Sequence, residues 1–507
     1  MELPPPHLRD TGRGIPADTE RIGDEQLGHT ATLPGEPPVS RANRYPDPMP
    51  PADDRGYAVR PLIGVPDPER VARALADTGD AWCWLDGAAA AERGDPRGTT
   101  YLGATTHVRT AQTGHEYEFL EQLRGTEPDA AGRGRSGFAH GWVTAFGYEF
   151  GVALLGAQTA ADDAAPAFAL RLDAVLAIDH RGRRAEVRGA SEADIEGWMA
   201  AYGHVLGGRD PASGSGASAA GGSRPLREHQ WRTDAVDYET AVDACRRAIG
   251  DGDAYVLCLT DTAEVALPPD TDPVDLYRAL RANGGALRGG IVAAGDRVLI
   301  SASPERFLSV TGDRVATHPI KGTRKRGSTP AEDDRIAAEL AAHPKERAEN
   351  LMIVDLMRND LSRVCAPGSV GVDGFLRVEA HPHVHQLVST VFGRLRPGAD
   401  ATDALAAAFP GGSMTGAPKR SAVEILGRLE GRPRGLYSGC FGWIGSDGSC
   451  ELAMTIRGVE LRGSARDGGI DALVGAGGGI TIDSDPSDEL AEQRLKADAI
   501  LRALGSR

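Results

Sequence analysis

Short apolar runs separated by polar, glycine-rich breaks dominate this chain, and helical spacing interrupts them at intervals. Runs at 81–85 (AWCWL), 141–146 (GWVTAF) and 174–178 (AVLAI) have the length and β-branched or aromatic content of buried strands, and 68–76 reads as a helix. Beyond residue 229 the spacing predicts a helix over 237–249, with Tyr238, Val242, Cys245 and Ile249 on one face. Strands are expected at 254–259, 298–301 and 307–310, followed by helices at 330–342 and from 344 to about 364. Pro330, Pro344 and Pro486 each stand where proline favours a first helical turn, and Pro486 opens the last helix. A further helix is expected at about 417–429. Strands mixed with helices, without strict alternation, predict an α+β layered fold rather than a doubly wound one.

Two segments break the pattern. Residues 1–55 are rich in Pro, Arg, Asp and Gly without apolar periodicity and read as a disordered N-terminal extension. Residues 209–228 contain the run PASGSGASAAGGS and read as a flexible linker or loop. Between and after them lie an N-terminal segment, 56–208, and a longer region, 229–507.

At 507 residues the chain exceeds the size at which one core stops growing, so more than one layer or lobe is expected. The net charge of -16 argues against nucleic acid or an anionic membrane as partner. Six scattered cysteines without a CxxC pair argue against a disulfide framework or a thiolate zinc site, and for a reducing cytoplasm. No apolar stretch is long enough to span a bilayer, and the N-terminus lacks the apolar core of a secretory signal.

Candidate chemistry concentrates in the second half. Lys321 lies in HPIKGT, between a stiff Pro-Ile pair and a Gly-Thr turn, and can act as a nucleophile or a fixed cation. Its neighbours Arg324, Lys325 and Arg326 would favour the neutral amine if their charge reaches it. Glu346 and Glu349 are three apart on one predicted helix, and Glu489 and Glu492 are three apart on another. Each pair presents two carboxylates together, an oxygen-only donor set suited to Mg²⁺, although acids in a first turn also simply favour the helix dipole. The run Gly475-Ala476-Gly477-Gly478-Gly479 suits either amides turned to an anion or a crowded strand. It is no dinucleotide fingerprint, because Ile480 stands at the last glycine position and no helix follows, so a nicotinamide oxidoreductase fails on spacing. Glu305, after Pro304, suits general acid–base work or a pair with Arg306, and Arg457 ends an apolar run where it can grip a carboxylate. His381, His383 and His385 alternate as on one strand face, without the cysteines or acids a zinc site needs.

These segments resemble the chorismate-utilising enzymes, and among them the synthase subunit of the aminodeoxychorismate-forming branch, related to anthranilate synthase component I. The matched motifs are SPERF (303–307), PIKGT (319–323), KERAENLMIVDLMRNDL (345–361), VHQLVSTV (384–391), FPGGSMTGAPK (409–419), RGLYSGCFGWI (434–444), AMTIR (453–457) and VGAGGGITIDSDPSDELAEQRLKA (474–497). WLDG (84–87) and GWVTAFGYEF (141–150) resemble the family's weaker N-terminal segment.

The resemblance implies two facing antiparallel β-sheets with helices outside and the active site between the layers. It implies that Glu346, Glu349, Glu489 and Glu492 hold Mg²⁺, which in turn holds the ring carboxylate of chorismate, aided by the amides of Gly475, Gly477 and Gly478 and by Lys496. Tyr437 and Arg457 would hold the enolpyruvyl carboxylate, and Thr415 would line the pocket. Relatives that make anthranilate carry alanine in the slot of Lys321, whereas relatives that place nitrogen on carbon 4 carry lysine. The resemblance therefore implies amination to 4-amino-4-deoxychorismate, the precursor of p-aminobenzoate for folate or antibiotic biosynthesis, with Glu305 carrying the proton. Ammonia would come from a glutamine amidotransferase partner. Gln386 stands where the family has histidine, and the adjacent His385 is the third catalytic candidate. Tyr255–Leu259 lacks the lysine base of water-adding relatives, and both 283–286 (NGGA) and WLDG depart from the family pattern near where relatives bind tryptophan. The competing expectations are an anthranilate synthase large subunit and a non-catalytic chorismate-binding paralogue.

Overall fold

The computed structural model describes residues 56–506 except 80, 93–94, 96–97, 126–136, 159, 207–226, 283–286, 381–383 and 464–467. The expected N-terminal extension, nearly all of the expected linker, the 283–286 turn, His381 and His383 lie outside the described residues. Two antiparallel sheets, of twelve and ten strands among the described residues, form the frame. In the larger sheet, strands at 58–61, 81–86, 99–105, 174–179 and 184–189 lie at one end. The strands Arg288–Ala294, Arg297–Ser303, Gly458–Gly463, Ile470–Ile480 and Val256–Leu267 continue it to the short Gly416–Ala417. The ten-stranded sheet runs from Ile320–Lys325 through Val384–Arg394, Arg314–Thr317, Arg306–Thr311, Cys450–Met454 and Cys440–Gly445. It ends on Gly141–Phe146, Ala167–Leu172 and Val108–Thr110. Residues before and after the expected linker thus share both sheets.

Strand alternation shows that the sheets face each other. Val143 and Ala145 pack into a buried cluster with Cys83, Val175, Val292 and Leu299 of the larger sheet, while Trp142 and Phe146, one residue out of phase, pack on the helical side with Phe150 and Leu405. Burying alternate residues on opposite sides is what a period of two imposes on a strand covered on both faces. Helices cover the outsides: Pro68–Ala76, Pro273–Ala282 and Pro486–Ala503 bury apolar faces against the larger sheet, and Pro344–Ser362 and Ala401–Ala408 against the other. The expected helices at 68–76 and 330–342 have those bounds, and the one expected at 237–249 spans Ala235–Gly250 with Tyr238, Val242 and Cys245 buried. Val256–Leu267 is longer than the expected 254–259, because its polar second half, TDTAE, finds a partner strand along its whole length.

One ion pair joins the helical layer to the GGSMTGAPK loop. Lys419, at the start of Lys419–Glu430, places Nζ 2.6 Å from Asp360 Oδ2 and donates to the Ala408 carbonyl at 2.7 Å, and both charged groups are buried. Burial lowers the pKa of Lys419 and raises that of Asp360, so each charge persists only because the other is there. Lys419→Met is expected to cost about 3 kcal/mol, and adding Asp360→Asn to restore most of it. Urea unfolding of the single and double variants checks this, and an unchanged midpoint in Lys419→Met would rule the clamp out.

Candidate active site

Two stretches of chain pass from one sheet to the other side by side. The first leaves the larger sheet at Ser303 and enters the ten-stranded sheet at Arg306; the second returns between Met454 and Gly458. Ser301 pairs with Gly458 in one sheet and Arg306 with Ala453 in the other, so the two form a single antiparallel ribbon bent across both layers. The bend is held by Met454 N donating to Glu305 O at 3.1 Å, Ala302 N to Arg457 O at 3.0 Å, and Ser301 Oγ to Ile456 O at 3.0 Å. Glu305 and Arg457 are thereby fixed at neighbouring corners.

Arg457 has φ 54° and Ser438, beside Tyr437, has φ 66°. Non-glycine residues in this left-handed region carry strain of order 1 kcal/mol, which persists where the surroundings impose it, often at functional sites. Arg457 is exposed to solvent although neighbouring groups crowd it. Burial lowers its pKa, and the groups acting on it are Tyr437 and Glu492. Glu305 is buried, and loss of water pushes its carboxyl up to about 7, against the opposing pull of Lys321 and of a hydrogen bond from Ser413.

Lys321 lies half-buried on the outer strand Ile320–Lys325, opposite Leu387 and next to a register shift. The neighbouring cations do not act as the sequence suggests. Arg324 binds Glu346 at 3.1 Å, Arg326 binds Asp333 at 2.5 Å, and Lys325 is exposed. The charge of Lys321 acts on the carboxyls of Glu305, Glu349 and Glu492 and on the buried Cys258 thiol.

The two ExxE pairs, on Pro344–Ser362 and Pro486–Ala503, come close enough for their charges to act on one another. Burial raises Glu349, with Glu346 and Glu492 adding to the rise and Lys321 and Lys345 opposing it; burial also raises Glu489, with Glu492 adding. Burial acts on Glu492 as well, but Lys496, Lys345 and Lys321 outweigh it and leave its carboxyl lowered. Lys496 sits 2.7 Å from Glu492 and donates to the Gly477 carbonyl at 2.8 Å, Lys345 stands 4.0 Å from Glu349, and Ser484 donates to Glu489 at 2.6 Å. Among the described residues no three acids already converge as a metal cage. The donor chemistry nevertheless fits a hard divalent cation: all-oxygen, partly buried, and with two carboxyls raised by burial.

The glycine run is strand, not loop. Ile470–Ile480 pairs with Val256–Leu267 over its full length, with Gly475, Gly477 and Gly478 opposite Thr262, Thr260 and Leu259. Its glycines let side chains lie on the backbone: a Cβ on Gly475 would be 2.0 Å from Cγ of Tyr437, and one on Gly478 would be 2.8 Å from Glu489 Oε2. The base of the Tyr437 ring lies against that strand, and Tyr437 acts on Arg457.

Two expected site residues are engaged elsewhere. Thr415 is fully buried, with its hydroxyl donating to the Gly411 carbonyl at 3.2 Å and its own carbonyl accepting from Cys258 N at 2.8 Å, so it shapes its loop. His385 Nε2 lies 2.9 Å from Asp333 on the helix Pro330–Ala342, while Gln386 reaches Thr323 at 3.5 Å. The sequence reading assigned no role to Lys345, Ser484 or Ser413. Lys345 was visible as the i, i+4 partner of Glu349, but nothing in the sequence joins Ser413 to Glu305.

The model of the chorismate binding enzyme family matches residues 80–502. A Streptomyces griseus protein named aminodeoxychorismate synthase is 41% identical over 377 residues, covering 72% of this chain and 50% of that protein. A protein of the same name from Streptomyces pristinaespiralis is 45% identical over 281 residues, 55% of this chain and 38% of its own length. Anthranilate synthase component 1 of Streptomyces coelicolor is 43% identical over 270 residues, 53% and 51% of the two chains. The chain thus spans about half, or less, of the length of these curated relatives. Among solved structures, anthranilate synthase component I from Streptococcus pneumoniae TIGR4 superimposes with a TM-score of 0.65 at 23% identity, over 94% of this chain and 100% of that one. The menaquinone-specific isochorismate synthase of Escherichia coli gives 0.62 at 17%, over 88% and 95%. Both share this fold of two facing sheets with outer helices.

Because a methyl group at Gly475 has no room under the Tyr437 ring, Gly475→Ala is expected to destabilise the protein by about 1–3 kcal/mol. Gly475→Ala/Tyr437→Ala should regain most of that loss in thermal unfolding. Equal stability of the single variant and the parent would contradict the stacking.

Proposed function

Since the chain belongs to the chorismate binding enzyme family, we propose that it converts chorismate and ammonia to 4-amino-4-deoxychorismate, using Lys321 as nucleophile. The observation that carries this reading is that the charge of Lys321 acts on the buried carboxyl of Glu305, itself raised to about 7, and on Glu349 and Glu492. In a member that aminates carbon 2 directly, the resemblance leads one to expect alanine in place of that lysine.

In this reading the Lys321 nitrogen forms a bond to ring carbon 2, the ring double bonds shift, and the carbon-4 hydroxyl leaves as water with the proton from Glu305. Ammonia then adds at carbon 4, the double bonds shift back, and the carbon 2–lysine bond breaks, so that chorismate and ammonia give the amino product and water. Glu305 at about 7 is suited to donating and recovering a proton near neutrality. Arg457 and Tyr437 bind the enolpyruvyl carboxylate, one by charge and one by hydrogen bond. Glu346, Glu349, Glu489 and Glu492 hold Mg²⁺, which supplies positive charge for the ring carboxylate. Lys496, the strand at Gly475, Gly477 and Gly478, and the loop shaped by Thr415 complete the pocket. His385, held by Asp333, supports the sheet beside Lys321.

Ammonia is supplied by a glutamine amidotransferase partner. A reducing cytoplasmic setting agrees with the six cysteines, all free and buried, and no described helix is long and apolar enough to cross a membrane.

The test is purified protein with Mg²⁺, chorismate and ammonium, coupled to a lyase that releases p-aminobenzoate. p-Aminobenzoate is the expected product; anthranilate fluorescence in its place refutes the lysine assignment. Lys321→Ala is expected to lose product by at least 100-fold, about 3 kcal/mol of barrier, with the fold unchanged by circular dichroism. Titration calorimetry provides a readout apart from turnover: Glu349→Gln and Glu489→Gln should each weaken Mg²⁺ binding about tenfold or more. Unaltered binding in both would remove the metal from this site.

A further inference from the structure

We propose that Ser413 is a positioning residue for Glu305: its hydroxyl occupies Oε1 and so leaves Oε2 as the oxygen that carries the transferable proton. The inference rests on the reading of Glu305 as proton carrier. Ser413 Oγ donates to Glu305 Oε1 at 3.0 Å, and among the described residues it is the only group whose hydrogen bond to that carboxylate is seen. A buried carboxyl with one oxygen held and the other free is a directed donor, whereas one with both oxygens free can turn either way.

The serine is itself placed with little freedom. It sits in the turn Gly412–Met414, where Met414 N donates to Gly411 O at 3.0 Å and the Thr415 hydroxyl reaches the Gly411 and Gly412 carbonyls at 3.2 and 3.4 Å. The turn lies directly on its neighbours: a Cβ on Gly412 would be 2.6 Å from Leu356, and one on Gly411 2.8 Å from the Met454 sulfur. Met454 also donates its amide to the Glu305 carbonyl, so the serine and the carboxylate are referenced to one residue of the bent ribbon. Beyond the turn, the Lys419–Asp360 pair fixes the chain again.

The charged group acting on Glu305 is Lys321, from the strand Ile320–Lys325. The turn offers the Ser413 hydroxyl, the helix Pro344–Ser362 brings Leu356 and Met357 to the turn, and Cys450–Met454 contributes Met454. Losing the hydroxyl therefore removes a donor that favours the ionised carboxylate and leaves the surrounding charges in place.

The experiment compares Ser413→Ala, Ser413→Thr and Ser413→Cys with the parent in the full chain. The Glu305 carboxyl is titrated by isotope-edited infrared spectroscopy, with the Glu305→Gln protein subtracted, and pH–rate profiles are recorded alongside. In Ser413→Ala the midpoint is expected to rise by about one pH unit, the size of one hydrogen bond to a charged group. The limb on which activity falls as Glu305 loses its proton should move up with it. Turnover should drop about tenfold, with the KM for chorismate within twofold. Ser413→Thr should restore the midpoint and most of the turnover, and Ser413→Cys, a weak donor of similar size, should lie between, which guards against a folding defect in the alanine variant. An unmoved midpoint in both Ser413→Ala and Ser413→Cys, or a threonine variant as impaired as the alanine one, overturns the proposal. A shifted midpoint in a protein that makes no carbon-4 amine supports the positioning role and refutes the amination reading, so the two can fail separately.

Discussion

The bent two-stranded ribbon on which the site depends is shared by both sheets. Were the sheets joined only by loops, the side chains between them would inherit the slack of those loops. Here Ser301 to Gly458 and Arg306 to Ala453 belong to one ladder, and its three cross-bend hydrogen bonds fix the corner at which it changes layers. Glu305 and Arg457 sit at that corner, one on each strand, so their separation is set by backbone pairing. The left-handed backbone at Arg457 is the local cost of that arrangement.

Around the corner the electrostatics are those of an acidic cleft that neutralises itself. Lys321, Lys345 and Lys496 stand among Glu349, Glu489 and Glu492, and the carboxyls with less of that compensation are raised by burial. Such a cleft has a use for added positive charge near the carboxylates. Arg457, on which both Tyr437 and Glu492 act, is suited to an anion.

Much of the frame was legible because burial on one or both faces leaves a periodic trace. The helices opened by Pro330, Pro344 and Pro486 begin where proline and capping residues require, and the 141–146 run is strand with alternate residues to either side. The glycine run was ambiguous by its residues alone, since an extended glycine segment carries no side-chain pattern to mark a face. Its partner strand, more than 200 residues earlier in the chain, decided the matter. The end of Val256–Leu267 was hidden for the same reason: TDTAE is polar by composition, and Thr260 to Ala263 are buried only because strands flank them.

By itself the sequence determined which chemical groups this protein possesses, in what order, and on which helices each ExxE pair would share a face. Those are consequences of local geometry, in which residues three or four apart must be neighbours on a helix. Only the tertiary structure decided which groups meet: that Arg324 and Arg326 turn away to acids while Lys321 looks toward glutamates, that His385 binds Asp333, and that Ser413 holds Glu305 across 108 residues of chain. Charge and hydrogen bonding act through space over a few ångströms, and the chain reaches those distances only after both sheets have closed on each other.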